Sequence, residues 1–193
     1  MNTADRMLAS LKPDDRNATT SIRGDRSLTT NTLTITWDAT MNRGTAQHLS
    51  GREYIQAGID GSIPRSPMSQ LMGFITTEVG DGFIAVECTP GEHHYNLLGT
   101  AHGGLAATLL DNCMGGAVQS TMPAGFAATT LEMKANFVRA ITAASGKLRC
   151  EGRVVHPGKR VATAEGRIVD AAGKLYAHGT TTMLVFAMQE KNP

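Results

Sequence analysis

"NLLGTAHGGLAATLLDN", Asn96 to Asn112, is the stretch on which the fold turns. A histidine and two glycines sit near its middle, and Asp111 follows nine residues after the histidine. Ala106, Leu110, Cys113 and Ala117 recur at helical spacing as one apolar stripe, which Leu105 and Leu109 widen. The spacing predicts a long, mostly apolar helix from about Gly103 to Ser120. Gly103, Gly104, Gly115 and Gly116 shave this helix at both ends. Each interior glycine costs a helix roughly 1 kcal/mol. Close approach of a sheet, a partner or a substrate is the reason to keep them.

Outward from this helix the chain is β-like. Before it, "GFITTEV" and "FIAVECTP" flank Gly80-Asp81-Gly82, which has the chemistry of a hairpin turn. After Pro123 and Gly125, "AATTLEMKANFVRA" alternates Leu131, Met133, Ala135 and Phe137 against Glu132, Lys134 and Asn136. "GKLRCEGRVVH" and "RVATAEGRIVD" join through "PGK", and "AAGK" turns the chain into "LYAHGTTTMLVFAM". The order is strand, strand, long helix, four strands, with no βαβ alternation and no internal repeat. That order predicts an α+β fold, one antiparallel sheet wrapped around one long central helix, with the outer sheet face wet. Upstream, "TAQHLSGREYIQAGIDG" reads as a helix with Leu49, Tyr54 and Ile55 on a partial apolar face. "SPMSQLMG" reads as a short helix capped by Ser66, started by Pro67 and stopped at Gly73. Residues 1–44 read as a polar arm, with strand-like alternation at Leu33, Ile35 and Trp37. Residues 45–188 read as a single domain.

The totals exclude several classes. A chain of 193 residues with 41% hydrophobic residues suits one domain with a sizeable core. A net charge of +1, no long basic run and 5% aromatics argue against nucleic acid as a partner. Cys88, Cys113 and Cys150 are odd in number and far apart, with no Cys-x-x-Cys. This speaks against a disulfide framework or zinc ribbon and for a reducing cytoplasm. No 18-residue apolar run and no N-terminal apolar h-region occur, so no membrane association is expected.

The chemistry gathers at the long helix. The first N–H groups of a helix lack internal partners and carry the positive end of its dipole. At Gly103 and Gly104 no side chain blocks them, which suits a carbonyl oxygen that becomes negative during attack. Asp111 has Ala107, Thr108, Met114 and Gly115 as helical neighbours, with no cation for a surface ion pair. It is a candidate general base. Eight residues separate Gly103 from Asp111, about 12 Å along the axis at roughly 1.5 Å each. That is too far for both to act on one carbonyl. If both act, Gly103 of one copy must face Asp111 of another, as a twofold dimer allows. Asn96 offers an amide for the substrate carbonyl or the water, and His102 a supporting ring at the helix start. Thr129 or Thr130 offers a hydroxyl near the carboxylate.

"N-x5-HGG-x6-D", followed by "TTLEMKANFVR" and "GRVVHPGKRVATAEGRIVDAAGKLYAHGTTTMLVF", resembles the hotdog-fold acyl-CoA thioesterases of the phenylacetic-acid-degradation type, over roughly residues 66–187. The resemblance implies the hotdog fold, a homodimer or homotetramer, and hydrolysis of acyl-CoA to free acid and CoA without a metal or cofactor. Under it, Asp111 matches the catalytic carboxylate, base or nucleophile. Gly103 matches the residue whose N–H polarises the thioester carbonyl. Asn96 and His102 match positions that hold substrate and loop, and Thr130 matches a Ser or Thr beside the carboxylate, with Thr129 as its alternative. The family often has proline after the asparagine; here it is Leu97, without that φ restraint.

CoA phosphates call for cations, and Arg139, Lys159 and Arg160 are the candidates. Met68, Leu71, Met72 and Phe74 are candidates either for an acyl slot or for core packing. Glu92, His93 and His94 are adjacent in sequence rather than set on one face, so no metal site is expected. Two other functions compete: a noncatalytic acyl-CoA-binding or sensing protein, and a hydroxyacyl-thioester dehydratase, which would need a histidine paired with an acid. No Gly-x-Ser-x-Gly elbow occurs, which argues against an α/β-hydrolase.

Overall fold

The computed structural model describes residues 30–37 and 46–188. The polar arm lies outside the described residues except for 30–37. Among the described residues these form no strand: the alternation at Leu33, Ile35 and Trp37 has no ladder partner there, and Leu33 and Trp37 are exposed. Alternation marks one apolar side of an extended chain, but a strand also needs a paired neighbour.

Helix α1 spans Gly51–Ile59, starting later than the upstream pattern suggests. Its start is set by a capping box. Ser50 Oγ accepts from the Glu53 N–H, and Glu53 Oε2 accepts from the Ser50 N–H at 2.8 Å. Helix α2, Pro67–Leu71, has the expected Ser66 cap and Pro67 start. Strands β1 (Phe74–Gly80) and β2 (Phe83–Cys88) form the hairpin. Helix α3 spans Gly103–Ser120, as the stripe predicts. Strands β3 (Phe126–Phe137), β4 (Leu148–His156), β5 (Val161–Asp170) and β6 (Leu175–Ala187) follow. Among the described residues these six strands make one antiparallel sheet in the order β1-β2-β4-β5-β6-β3.

The sheet wraps α3. Leu105, Ala106, Leu109, Leu110, Cys113, Met114, Ala117 and Val118 are all buried, the predicted stripe and its flanks. Burying side chains such as Leu110 and Met114 contributes about 1.5–3 kcal/mol each. The helix comes this close because of a row of glycines. Gly152 pairs with Gly166, and Gly166 with Gly179, across β4, β5 and β6. A Cβ at Gly152 would stand 2.4 Å from the Cys113 carbonyl oxygen, and one at Gly166 would stand 2.9 Å from Met114 Cγ. The helix therefore rests on bare strand backbone. Cys113 Sγ donates to the Cys150 carbonyl at 3.1 Å across the same contact. Cys88, Cys113 and Cys150 are free and buried, and burial pushes the Cys88 thiol up to about 11. They serve packing rather than nucleophilic chemistry.

One strand departs from its expected alternation. Thr130 pairs with Met183 and Glu132 with Thr182, so Leu131 is the extra residue of a bulge in β3. Leu131 is exposed rather than on the inner face. The bulge shifts the parity, so that Thr130 and Met133, three residues apart, both face inward: Thr130 reaches α3 and Met133 packs against the core.

Candidate active site

The face of α3 turned away from the glycine row carries Asp111, Asn112, Gly115, Gly116 and Gln119, at i, i+1, i+4, i+5 and i+8. These line a cavity of about 750 Å³. Tyr54, Ile55 and Ile59 of α1 face it, with Phe74 and Ile75 of β1 and Thr129 and Thr130 of β3. Helix α1 is seated there by backbone contact: the Gly51 N–H donates to the Met122 carbonyl at 2.9 Å, where a Cβ would overlap the Gln119 carbonyl.

In this cavity the Thr130 hydroxyl donates to Asp111 Oδ1 at 2.7 Å. It is Thr130, and not Thr129, that reaches the carboxylate. The bond fixes the rotation of the carboxylate, and among the described residues no donor occupies Oδ2, which is left for a water or a substrate atom.

The start of α3 opens into a second cavity of about 310 Å³, lined by His102, Gly103, Phe137, Arg139 and Tyr176 among others. His102 caps the helix: its Nδ1 accepts from the Gly104 N–H at 2.9 Å, and its carbonyl accepts from the Leu105 N–H at 2.9 Å. A neutral ring that accepts at Nδ1 carries its proton on Nε2. The expectation that both glycines present free N–H groups is thus corrected. Gly104 is consumed by the cap, and among the described residues the Gly103 N–H alone of these three has no acceptor. The Phe137 ring stands beside it, 3.7 Å from where a Gly103 Cβ would be.

Asp111 and Gly103 therefore line different cavities of one chain. Asn96 lines neither. Its Oδ1 accepts from the Leu98 N–H at 2.8 Å and its Nδ2 donates to Thr100 Oγ1 at 3.3 Å, closing the loop between Tyr95 and Ala101. The Ala101 N–H donates to Ile141 O, and the His102 N–H to His94 O, each at 2.8 Å, anchoring the helix start. His94 is buried and its Nδ1 accepts from the Gly91 N–H at 3.0 Å. Burial, then the neighbouring His93, holds its imidazole below the ordinary histidine value despite the nearby Met72 carbonyl. Among the described residues no three His, Cys, Asp or Glu side chains stand close enough to hold a metal ion.

Arg139 lines the Gly103 cavity, its guanidinium donating to the Leu175 carbonyl and lying 5.7 Å from the Tyr176 ring centroid. Lys159 and Arg160 are exposed in the β4–β5 turn and line neither cavity. The acyl-slot candidates fall into different places. Phe74 lines the large cavity, whereas Met68 and Leu71 are exposed and Met72 packs against the core. The wall missed in the sequence is α1. Its signal was Tyr54, Ile55, Gly58 and Ile59 at i, i+1, i+4 and i+5 behind the Ser50–Glu53 box.

A long helix packed against a six-stranded antiparallel sheet is the architecture of the hotdog thioesterases. Residues 98–177 match the thioesterase superfamily. A conserved protein of Pseudomonas aeruginosa is 34% identical, covering 63% of this chain and 95% of its own, with a TM-score of 0.60. A phenylacetic acid degradation-related protein of Ralstonia eutropha, provisionally named a thioesterase, is 25% identical over 68% of this chain and 98% of its own, TM-score 0.62. A Streptococcus mutans protein solved with acetyl CoA bound is 28% identical over 60% of this chain and 90% of its own, TM-score 0.55. A Halobacterium salinarum protein provisionally named an esterase is 37% identical over 93 residues, 47% of this chain. The match spans 56% of that curated relative's length. Among the described residues no helix is long and apolar enough to cross a membrane.

Proposed function

We propose that this protein hydrolyses acyl-CoA thioesters in active sites shared between two copies of the chain. One observation carries the reading: a carboxylate oriented by Thr130 opens into one cavity, while the unclaimed Gly103 N–H opens into another. Each is half of a hydrolytic site, and a twofold dimer joins the halves twice. β3 lies at the sheet edge and exposes Phe126, Leu131 and Phe137, a surface suited to such pairing. The acetyl CoA bound by the Streptococcus mutans relative supports the thioester class.

In the proposed reaction the thioester carbonyl oxygen accepts from the Gly103 N–H of one copy, at the positive end of α3. Asp111 of the other copy takes a proton from water through Oδ2, and the water oxygen attacks the carbonyl carbon. The tetrahedral intermediate collapses by breaking the C–S bond. The thiolate leaves readily, because a thiol is far more acidic than an alcohol, and takes up the proton held by Asp111. In the alternative, Oδ2 itself attacks, and the C–S bond breaks to give an Asp111 acyl anhydride and thiolate. Water then cleaves the anhydride to the free acid, restoring the carboxylate and supplying the thiolate's proton. His102 caps the helix and keeps the Gly103 N–H aimed, and Asn96 shapes the loop that feeds it. Arg139 meets the CoA phosphates from the Gly103 side, with Lys159 and Arg160 as outlying cations.

Thiol release measured over a panel of acyl-CoAs tests the reading. Binding without release would favour the noncatalytic acyl-CoA-binding alternative. The dehydratase reading is disfavoured because His102 Nδ1 is taken up as the helix cap by the Gly104 N–H.

Two further results are expected. Thr130→Val should lower kcat about tenfold or more with little change in KM, since a hydrogen bond to a charged group is worth about 1.5–3 kcal/mol. Thr130→Ser should restore most of the loss; equal activity in the valine variant would remove Thr130 from the mechanism. Arg139→Ala should raise KM for CoA esters several-fold, and raise it far less for N-acetylcysteamine esters, which lack the phosphates. Equal changes for both would place Arg139 outside the phosphate contacts.

A further inference from the structure

We infer that Gly115 sets the length of acyl chain the enzyme accepts; the inference rests on the thioesterase reading above. Gly115 lies one helical turn beyond Asp111 on the cavity face of α3, facing Tyr54, Ile55 and Ile59 of α1. The cavity continues along the helix from Asp111 to Gln119, so an acyl group whose carbonyl is at Asp111 passes Gly115 first.

The adjacent glycines are kept for different reasons. A Cβ at Gly116 would stand 2.6 Å from Ile84 Cδ1, so the core requires that glycine. A Cβ at Gly115 would meet Met183 Cε at 3.5 Å, an ordinary contact, and nothing closer. Gly115 has no positive φ. Packing thus permits alanine there, and helix propensity favours alanine over glycine. The space left by the missing side chain belongs to the cavity. A methyl or isopropyl group at Gly115 would fill it beside the first carbons of the substrate and stop a chain from running on toward Gln119. The flanking Ile55, Ile59, Phe74 and Met183 make the occupant an apolar acyl group.

The test compares the full-length protein with Gly115→Ala and Gly115→Val on saturated acyl-CoAs from acetyl to dodecanoyl. The ratio of kcat/KM on long chains to that on acetyl should fall about tenfold or more in Gly115→Val, with Gly115→Ala between it and the parent. One methylene in an apolar pocket is already worth about 10-fold or more. A uniform loss on every chain, or an unchanged length profile, overturns the inference. If the parent hydrolyses none of the panel, the thioesterase reading fails on its own. The Kd profile of the same esters, measured by calorimetry, then decides Gly115: a shift toward shorter chains in the variants upholds its role, and no shift overturns it.

Discussion

Asp111→Asn is expected to lower kcat/KM at least about 10²-fold while acyl-CoA affinity stays near that of the parent, because the amide keeps the shape but loses the base or nucleophile. Gly103→Pro should do comparable damage from the other end. Gly103 is the first residue of α3, where proline is well tolerated. His102, at φ −58° and ψ 141°, already has the extended backbone that precedes proline. The Phe137 ring at 3.7 Å from the Cβ position leaves ordinary contact. Proline thus deletes the N–H without breaking the helix, and losing one oxyanion donor costs about 10²–10³ in kcat. The decisive result comes from co-producing the two inactive variants. In a mixed dimer one site has Gly103 from the Asn variant and Asp111 from the Pro variant, and the other site has neither. Random assortment then restores about a quarter of parental activity if sites are shared across a twofold interface. No recovery in purified mixed dimers would place both groups' action within one chain and end the shared-site reading.

Gly152→Val is expected to destabilise the fold strongly. The new Cβ would sit 2.4 Å from the Cys113 carbonyl oxygen, and both partners are backbone, so no rotamer change relieves the contact. Overpacking costs about 1–3 kcal/mol and occasionally more, and this position belongs at the upper end. For a chain of this size about 3 kcal/mol lowers Tm by roughly 6–12 °C. Thermal unfolding followed by circular dichroism reads it directly. A melting point within about 2 °C of the parent would mean that α3 does not rest on β4.

Much of the fold was legible because α3 is both long and nearly uniform: Leu105 through Val118 repeat at helical spacing, and the six strands alternate around it. The glycine row was not read, since Gly152, Gly166 and Gly179 are far apart in sequence and align only when β4, β5 and β6 adopt their register. The bulge at Leu131 was hidden for a similar reason. Leu131, Met133 and Ala135 alternate cleanly, and only the ladder to β6 shows that one residue is surplus. At the site, the Gly103–Asp111 spacing was readable because helix rise is invariant. Of the acyl-slot candidates, Phe74 alone lines the large cavity. Met68 and Leu71 are apolar enough, but α2 is short and leaves them in solvent, while α1 is seated on the end of α3. The capping role of His102 was also missed, because Ser, Thr, Asp and Asn are the usual caps.

The glycine row has a consequence for how this scaffold changes over time. With the β4 backbone at Gly152 against the helix backbone and Gly166 against Leu110 and Met114, α3 has little freedom to rotate or rise. The reactive face is held as rigidly as if it were part of the sheet. New substrate preferences must therefore arise on the cavity side, by exchanges along α1 or at Gly115, while the face of α3 against the strands tolerates almost none.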